Sequence, residues 1–274
     1  MADFWVNGTR LHADERGEGS PTLVFMHYFA GSGQEWTGVV ETLSDAYRCV
    51  TVDLRGHGQS DGPPAGYAVD QQADDVLELV RQLGADAYVL VGHSMSGKIA
   101  LVAAARQPTG LQSLVLLAPS PLSPEPIPDE TRARLLRTYG ERVAAERTAD
   151  EIVANRLPEA QREAVIADNL RTARPAWSAW LESGSREDLR VRAVDVEVPV
   201  WVLAGSRETN IPIQVLKTEV VMPLKNAALQ IIPDAGHLLP LEKPRETAAL
   251  IREFVATEIG KIQAREPKPK ARSL

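Results

Sequence analysis

The residues able to do chemistry gather around one short segment. In Val89-Leu90-Val91-Gly92-His93-Ser94-Met95-Ser96-Gly97, an apolar run ends at Gly92 and a helical pattern opens at about Ser96. Ser94 falls on the turn between them, the setting that gives a G-x-S-x-G pattern mechanical meaning. Such a turn is strained, and the residues two before and two after the serine must be small for strand and helix to approach. Gly92 meets that demand. Ser96 stands where glycine is usual and is followed by Gly97, so a slightly wider elbow is expected. The plain alternative, a serine that only caps the following helix, is disfavoured by this setting. A serine hydroxyl attacks well only when a base takes its proton, and the candidates are His12, His27, His57, His93 and His237. His12, in the opening hairpin, reads as a surface residue. His27, His57 and His93 read as satisfied hydrogen-bonding groups of structural loops. His237 follows Pro233-Asp234-Ala235-Gly236, on a loop free to place a side chain.

The elements that must carry these groups alternate between short apolar runs and helical patterns, the signature of βα units and a mostly parallel sheet. Strands are predicted at Thr22–His27, Tyr47–Asp53, Tyr88–Gly92, Leu114–Ala118, Val200–Gly205 and Leu229–Ile232. Their lack of strict alternation suits strands covered by helices on both faces. Phe4–Val6 and Thr9–Ala13, joined through Asn7-Gly8, form an opening hairpin. Helices are predicted at Val69–Leu83, Ser96–Arg106, Pro212–Leu224 and Pro244–Ile262. From Pro119 to about Asp188 the rhythm breaks. Pro119, Pro121, Pro124, Pro126 and Pro128 exclude a strand or a helix interior. Helical, charged sequence follows from Thr131 to about Leu181, read as an insertion between two strands of one sheet. The tail (Glu266-Pro267-Lys268-Pro269-Lys270) is polar and expected to fray.

With these motifs together the chain resembles the α/β-hydrolase family, over about residues 20–262 and with the helical insertion in the family's cap position. His27-Tyr28-Phe29-Ala30-Gly31-Ser32 follows the first core strand, where the family carries its oxyanion loop. Asp53-Leu54-Arg55-Gly56-His57-Gly58-Gln59-Ser60 resembles the D-x-R-G-x-G-x-S loop, and Asp234-Ala235-Gly236-His237 the loop delivering the catalytic histidine. The resemblance implies an α/β fold with a core at 1–118 and 189–274 and a cap at 119–188. It implies Ser94 as nucleophile and His237 as base, in the chain order Ser…Asp/Glu…His. The orienting acid belongs after the strand that follows the cap. There the family usually has aspartate and this chain has Glu208, which does the same electrostatic work from one methylene further away. Asp234 is the rival acid, but so close to His237 it reads as shaping the loop. Met95, the residue after the nucleophile, supplies one oxyanion N–H. By resemblance Phe29 supplies the other. Tyr28 replaces a common glycine, so its ring must point into the cleft or lie buried behind the loop.

Composition excludes other classes. In 274 residues and 29.9 kDa there is 44% hydrophobic and 24% charged residues, enough for one large domain with an insertion and against dominant disorder. A net charge of −7 argues against nucleic acid. The single cysteine, Cys49, excludes an intramolecular disulfide and a cysteine-built zinc site. No apolar run is long enough to span a bilayer and no leader pattern opens the chain, so a soluble cytoplasmic protein is expected. Gly31-x-Gly33 and Gly56-x-Gly58 are too short for a dinucleotide fingerprint. Lys98 reads as a surface or salt-bridging residue rather than half of a Ser–Lys dyad. Trp177 and Trp180, at helical spacing, share an apolar face that packs the cap, covers Ser94, or both.

The expectation is a serine hydrolase acting on an uncharged or weakly charged carboxylic ester. Ser94, Glu208 and His237 do the chemistry, and Phe29 and Met95 hold the oxyanion. Tyr28, Trp177 and Trp180 line the substrate pocket. It uses no cofactor and no metal, and its partner is a small-molecule acyl substrate, with no nucleic acid or membrane; oligomeric state stays open. Lactonases, C–C bond hydrolases, amidases and perhydrolase-type enzymes share the constellation, as does a slow-turnover ligand receptor. Fold does not choose among them. Ser94 at the elbow excludes an aspartate-nucleophile dehalogenase or epoxide hydrolase.

Overall fold

The computed structural model describes residues 1–265; the polar tail expected to fray lies outside the described residues. Eight strands form one sheet in the order β1-β2-β4-β3-β5-β6-β7-β8. β1 (Ala2–Val6) and β2 (Thr9–Arg16) form the hairpin around Asn7 and Gly8, whose φ values of 44° and 79° suit a primed turn. β2 also pairs antiparallel with β4 (Cys49–Val52). β3 (Thr22–Met26), β5 (Tyr88–His93), β6 (Leu111–Leu117), β7 (Val200–Gly205) and β8 (Ala227–Ile232) continue the sheet in parallel. β3 and β5 are buried along their whole length, which is why their sequences run apolar without alternation.

Two apolar clusters cover the sheet. On one face lie α2 (Val69–Gln82) and α3 (Met95–Ala105); on the other lie α1 (Thr37–Leu43) and α10 (Pro244–Arg265). α1 has no counterpart among the predicted helices: seven residues following a 3₁₀ turn at Gly33–Trp36 give too short a pattern to read. The helix predicted at Pro212–Leu224 begins as α8 (Ile213–Val215) and widens into a π-helical turn at Leu216–Val221. The stretch inserted between β6 and β7 holds α4 (Asp129–Arg137), α5 (Arg142–Glu151), α6 (Glu159–Arg171) and α7 (Arg174–Glu182). α9 (Leu239–Glu242) follows the His237 loop. No described helix is long and apolar enough to cross a membrane.

The strand order determines where a site can form. After β3 the chain crosses to β4 on one side and returns to β5 on the other, so the carboxyl ends of β3 and β5 diverge around a crevice. The loops carrying Phe29 and Ser94 leave the sheet there. Asp53, at the end of β4, fastens the Phe29 loop from below by accepting from Gly33 N–H at 2.7 Å and Gln59 N–H at 2.7 Å.

Candidate active site

Ser94 has φ 52° and ψ −113°, a conformation that costs about 1–3 kcal/mol and persists only where the surroundings enforce it. The enforcement is visible. Ser94 N–H donates to Leu117 O at 2.9 Å, and its carbonyl accepts from Gly97 and Ser120, each at 2.9 Å. A Cβ on Gly92 would lie 2.8 Å from Ser96 O, and one on Gly97 would lie 2.4 Å from Pro119 Cβ. Ser96 is a cross-brace: its Oγ accepts from His93 N–H and donates to Met26 O, both at 2.8 Å, tying β3 to the elbow. Its hydroxyl uses the position for bonding, where the sequence suggested only a wider turn.

His237 and Glu208 arrive from the ends of β8 and β7. Their side chains are buried, with His237 Nδ1 2.8 Å from Glu208 Oε2. The other carboxylate oxygen accepts from Asn210 N–H at 2.6 Å and Ile211 N–H at 3.1 Å, fixing its orientation. Burial works against a charged imidazole, but the Glu208 charge and hydrogen bond outweigh it and hold His237 above its ordinary 6.5. Burial likewise pushes Glu208 up; the His237 charge, with hydrogen bonds from His237, Ile211 and Asn210, brings its carboxyl below the usual range. Asp234 lies elsewhere, bonded to Arg207 at 2.8 Å on the surface, with φ 51° at the loop's tightest point.

Ser94 and His237 line a single cavity of about 500 Å³. Among the described residues no hydrogen bond joins them directly, a slack common where substrate completes the alignment. Nor is the N–H of Phe29 or Met95 bonded to another described group, and Phe29 lines the cavity. Phe29 packs against Trp177, their rings tilted and their centroids 4.9 Å apart, and lies 6.4 Å from Trp180, so an aromatic wall joins the loop after β3 to α7. Trp177 is held by Nε1–H donating to Leu135 O at 3.1 Å. Tyr28 does both things its bulk allowed: it packs with Ala145, Ala149 and Leu238 and faces the cavity. The left-handed residue of that loop is Ala30, at φ 64°.

Three of the other groups sit differently from expectation. Lys98 is fully buried, not superficial, its ammonium donating to Glu187 O at 2.6 Å and Ser123 O at 3.3 Å. Burial lowers it to about 8. Committed to two carbonyls, it offers no partner to Ser94. His12 is buried as well, 3.1 Å from Asp3, because β1 shields it. His57 bonds through Nδ1 to Arg55 O at 3.0 Å, yet its buried Nε2 has no partner among the described residues. His27 is satisfied as read, between Tyr28 O and Leu54 N–H.

Glu35, Glu125, Asp168 and Glu242 were not legible in advance. Glu125 lines the cavity and accepts from Ser120 Oγ at 2.6 Å. Asp168, from α6, accepts from Ser32 Oγ at 2.5 Å. Glu242 accepts from Gly236 N–H of the histidine loop and from Ala154 and Asn155 N–H, between α5 and α6. The sequence marks none of them: Glu35, Asp168 and Glu242 stand beside Gln34, Asn169 and Lys243, and Glu125 between two prolines.

The family model for the alpha/beta hydrolase fold matches residues 21–154. A 2-succinyl-6-hydroxy-2,4-cyclohexadiene-1-carboxylate synthase of Citrobacter koseri is 30% identical, over 86% of this chain and 94% of its own. The chain belongs to the α/β-hydrolase family. A 2-(acetamidomethylene)succinate hydrolase of Mesorhizobium japonicum is 28% identical over 89% of this chain and 91% of its own. In fold, an esterase of Exiguobacterium antarcticum superposes with a TM-score of 0.84 at 19% identity, covering 92% of this chain and 97% of its own.

Proposed function

We propose that this α/β-hydrolase is a serine hydrolase that cleaves uncharged carboxylic esters through an acyl-enzyme. The observation that carries the reading is the pairing of a strained, elbow-borne Ser94 with the 2.8 Å His237–Glu208 couple at one cavity. His237 Nε2 takes the Ser94 proton as Oγ attacks the acyl carbon. The tetrahedral oxyanion accepts from the Phe29 and Met95 N–H groups. His237 returns the proton to the departing alcohol, then activates water that releases the acid and regenerates Ser94. Glu208 keeps the proton-bearing nitrogen of His237 turned towards itself and stabilises the imidazolium. These steps use protein groups and water alone.

The cavity wall favours an apolar substrate, through Phe29, Trp177 and Trp180 against Tyr28. The two relatives described above are named for carboxylate and succinate compounds. Against that class here, the one guanidinium lining the cavity among the described residues, Arg134, lies 3.7 Å from Glu151 and is already partnered. Glu125 adds a second acid to the wall; burial raises its titration, and it offers an anionic substrate no counter-charge. Ser94→Ala should abolish covalent labelling by a fluorophosphonate and cost on the order of 10⁴-fold or more in ester turnover, with circular dichroism unchanged. Hydrolysis near the wild-type rate in that variant would remove the central claim.

A further inference from the structure

Behind the His237–Glu208 couple lies another acid and imidazole, both shut away from solvent. Glu35 closes the 3₁₀ turn after the Phe29 loop and is 4% exposed; His93 precedes Ser94 and is 0% exposed. Glu35 Oε1 accepts from Tyr28 N–H at 3.2 Å, and Oε2 lies 2.8 Å from His93 Nδ1. His93 Nε2 lies 2.9 Å from the carbonyl oxygen of His237.

The hydrogens can be counted from these partners. A carbonyl oxygen only accepts, so His93 Nε2 carries hydrogen. One more proton must occupy the 2.8 Å contact between Nδ1 and Oε2. It belongs either to an imidazolium facing a carboxylate or to a carboxylic acid donating to a neutral imidazole. Three observations favour the acid. The His93 and His237 rings are 5.1 Å apart, so a charged His93 would oppose the protonation of the proposed base. Among the described residues no lysine or arginine bonds Glu35, and Asp168 is another acid fastened to the same loop through Ser32. Burial pushes Glu35 well above the carboxylate range and lowers His93 to about 3, where the His237 charge adds to it.

We propose that Glu35 is a positioning residue working as a neutral carboxylic acid, donating through Oε2–H to His93 and accepting the Tyr28 amide at Oε1. Through His93 it holds the main chain of His237, and through Tyr28 it sets the peptide just before the Phe29 N–H. Its kinetic consequence rests on the proposed roles of His237 and Phe29; the location of the proton does not.

Glu35→Gln keeps all of these contacts, because an amide N–H can donate to Nδ1 while the amide oxygen accepts from Tyr28. Glu35→Leu keeps none. With p-nitrophenyl butyrate as probe, Glu35→Gln should retain kcat/KM within about threefold and leave the acid limb of the pH profile in place. Glu35→Leu should lose on the order of 10²-fold in kcat with KM little changed, the scale of a misplaced catalytic group. At pH 8, where Asp168 at about 6 is ionised, infrared difference spectra should show a protonated-carboxyl band in the wild type that Glu35→Gln lacks. Nitrogen NMR should report His93 as the neutral Nε2–H tautomer. A Glu35→Gln loss as large as that of Glu35→Leu, or a downward shift of its acid limb, would show a working carboxylate and overturn the proposal. Absence of the band would do the same, and the spectra decide it even if Glu35→Leu does not fold. If the wild type turns over no ester, the esterase reading fails while the band and the tautomer still decide the state of Glu35.

Discussion

The methylene that separates glutamate from aspartate changes what the backbone around residue 208 must do. Glu208 reaches His237 while its second oxygen is tied to Asn210 and Ile211, so the carboxylate is held from both ends. Glu208→Gln should keep the fold but favour the wrong imidazole tautomer, costing turnover on the order of 10³- to 10⁴-fold. Glu208→Asp should recover part of that, and Asp234→Asn should retain most activity because Asp234 pairs with Arg207 instead. The pH profile offers a second measure. His237 must be neutral to take a proton, and Glu208 holds its titration above 6.5. kcat/KM should therefore rise with pH through a midpoint above that value. In Glu208→Gln burial, the largest single effect on the imidazole, is no longer offset by Glu208, so the midpoint should drop; an unmoved midpoint would detach Glu208 from the imidazole. The proposed roles of Ser94 and His237 would survive that result.

At the scale of elements, the elbow is legible in the sequence because its steric demand falls on neighbours within a few residues, Gly92 and Gly97 above all. The same holds for the hairpin turn and for the strands buried on both faces. Lys98 shows the converse. Nothing local marks a lysine in an apolar helix as buried, because the carbonyls that hold it belong to Ser123 and Glu187 at the two ends of the cap. Glu35 and Asp168 were opaque for the same reason: their partners lie 58 and 136 residues away in the chain. The cap helices show how an element shapes selectivity. Trp177 and Trp180 contribute wall and no proton-transfer group, so Trp177→Ala and Trp180→Ala should change KM and chain-length preference more than the rate on a small acetate ester. A hundredfold turnover loss on every ester, with folding intact, would mean that the cap holds a catalytic group.

Across the whole molecule, the helices inserted between β6 and β7 share buried polar contacts with the loops of the sheet, and their energies depend on pH. Asp168 is raised to about 6, chiefly by burial, with the Ser32 bond and Arg171 only partly offsetting it. The native state thus binds a proton that the unfolded chain, with an ordinary carboxyl near 3.8, has released. Stability from this group is complete below the unfolded value and declines as pH rises to about 6, by up to about 3 kcal/mol. Asp168→Asn keeps an acceptor for Ser32 Oγ and removes the ionisation. Its Tm should exceed that of the wild type by several degrees at pH 8, and the gap should close near pH 4. A constant gap would assign the effect to packing. The fastening of the histidine loop has a different consequence. His237 N–H donates to Ile152 O at 3.0 Å, and Glu242 grips both strands of that seam. If the helices inserted between β6 and β7 act as the proposed cap, that cap is thus no exchangeable module. A chimera that splices in a foreign cap must carry residues 152–155 with the recipient core, or it will retune the imidazole along with the specificity it was built to change.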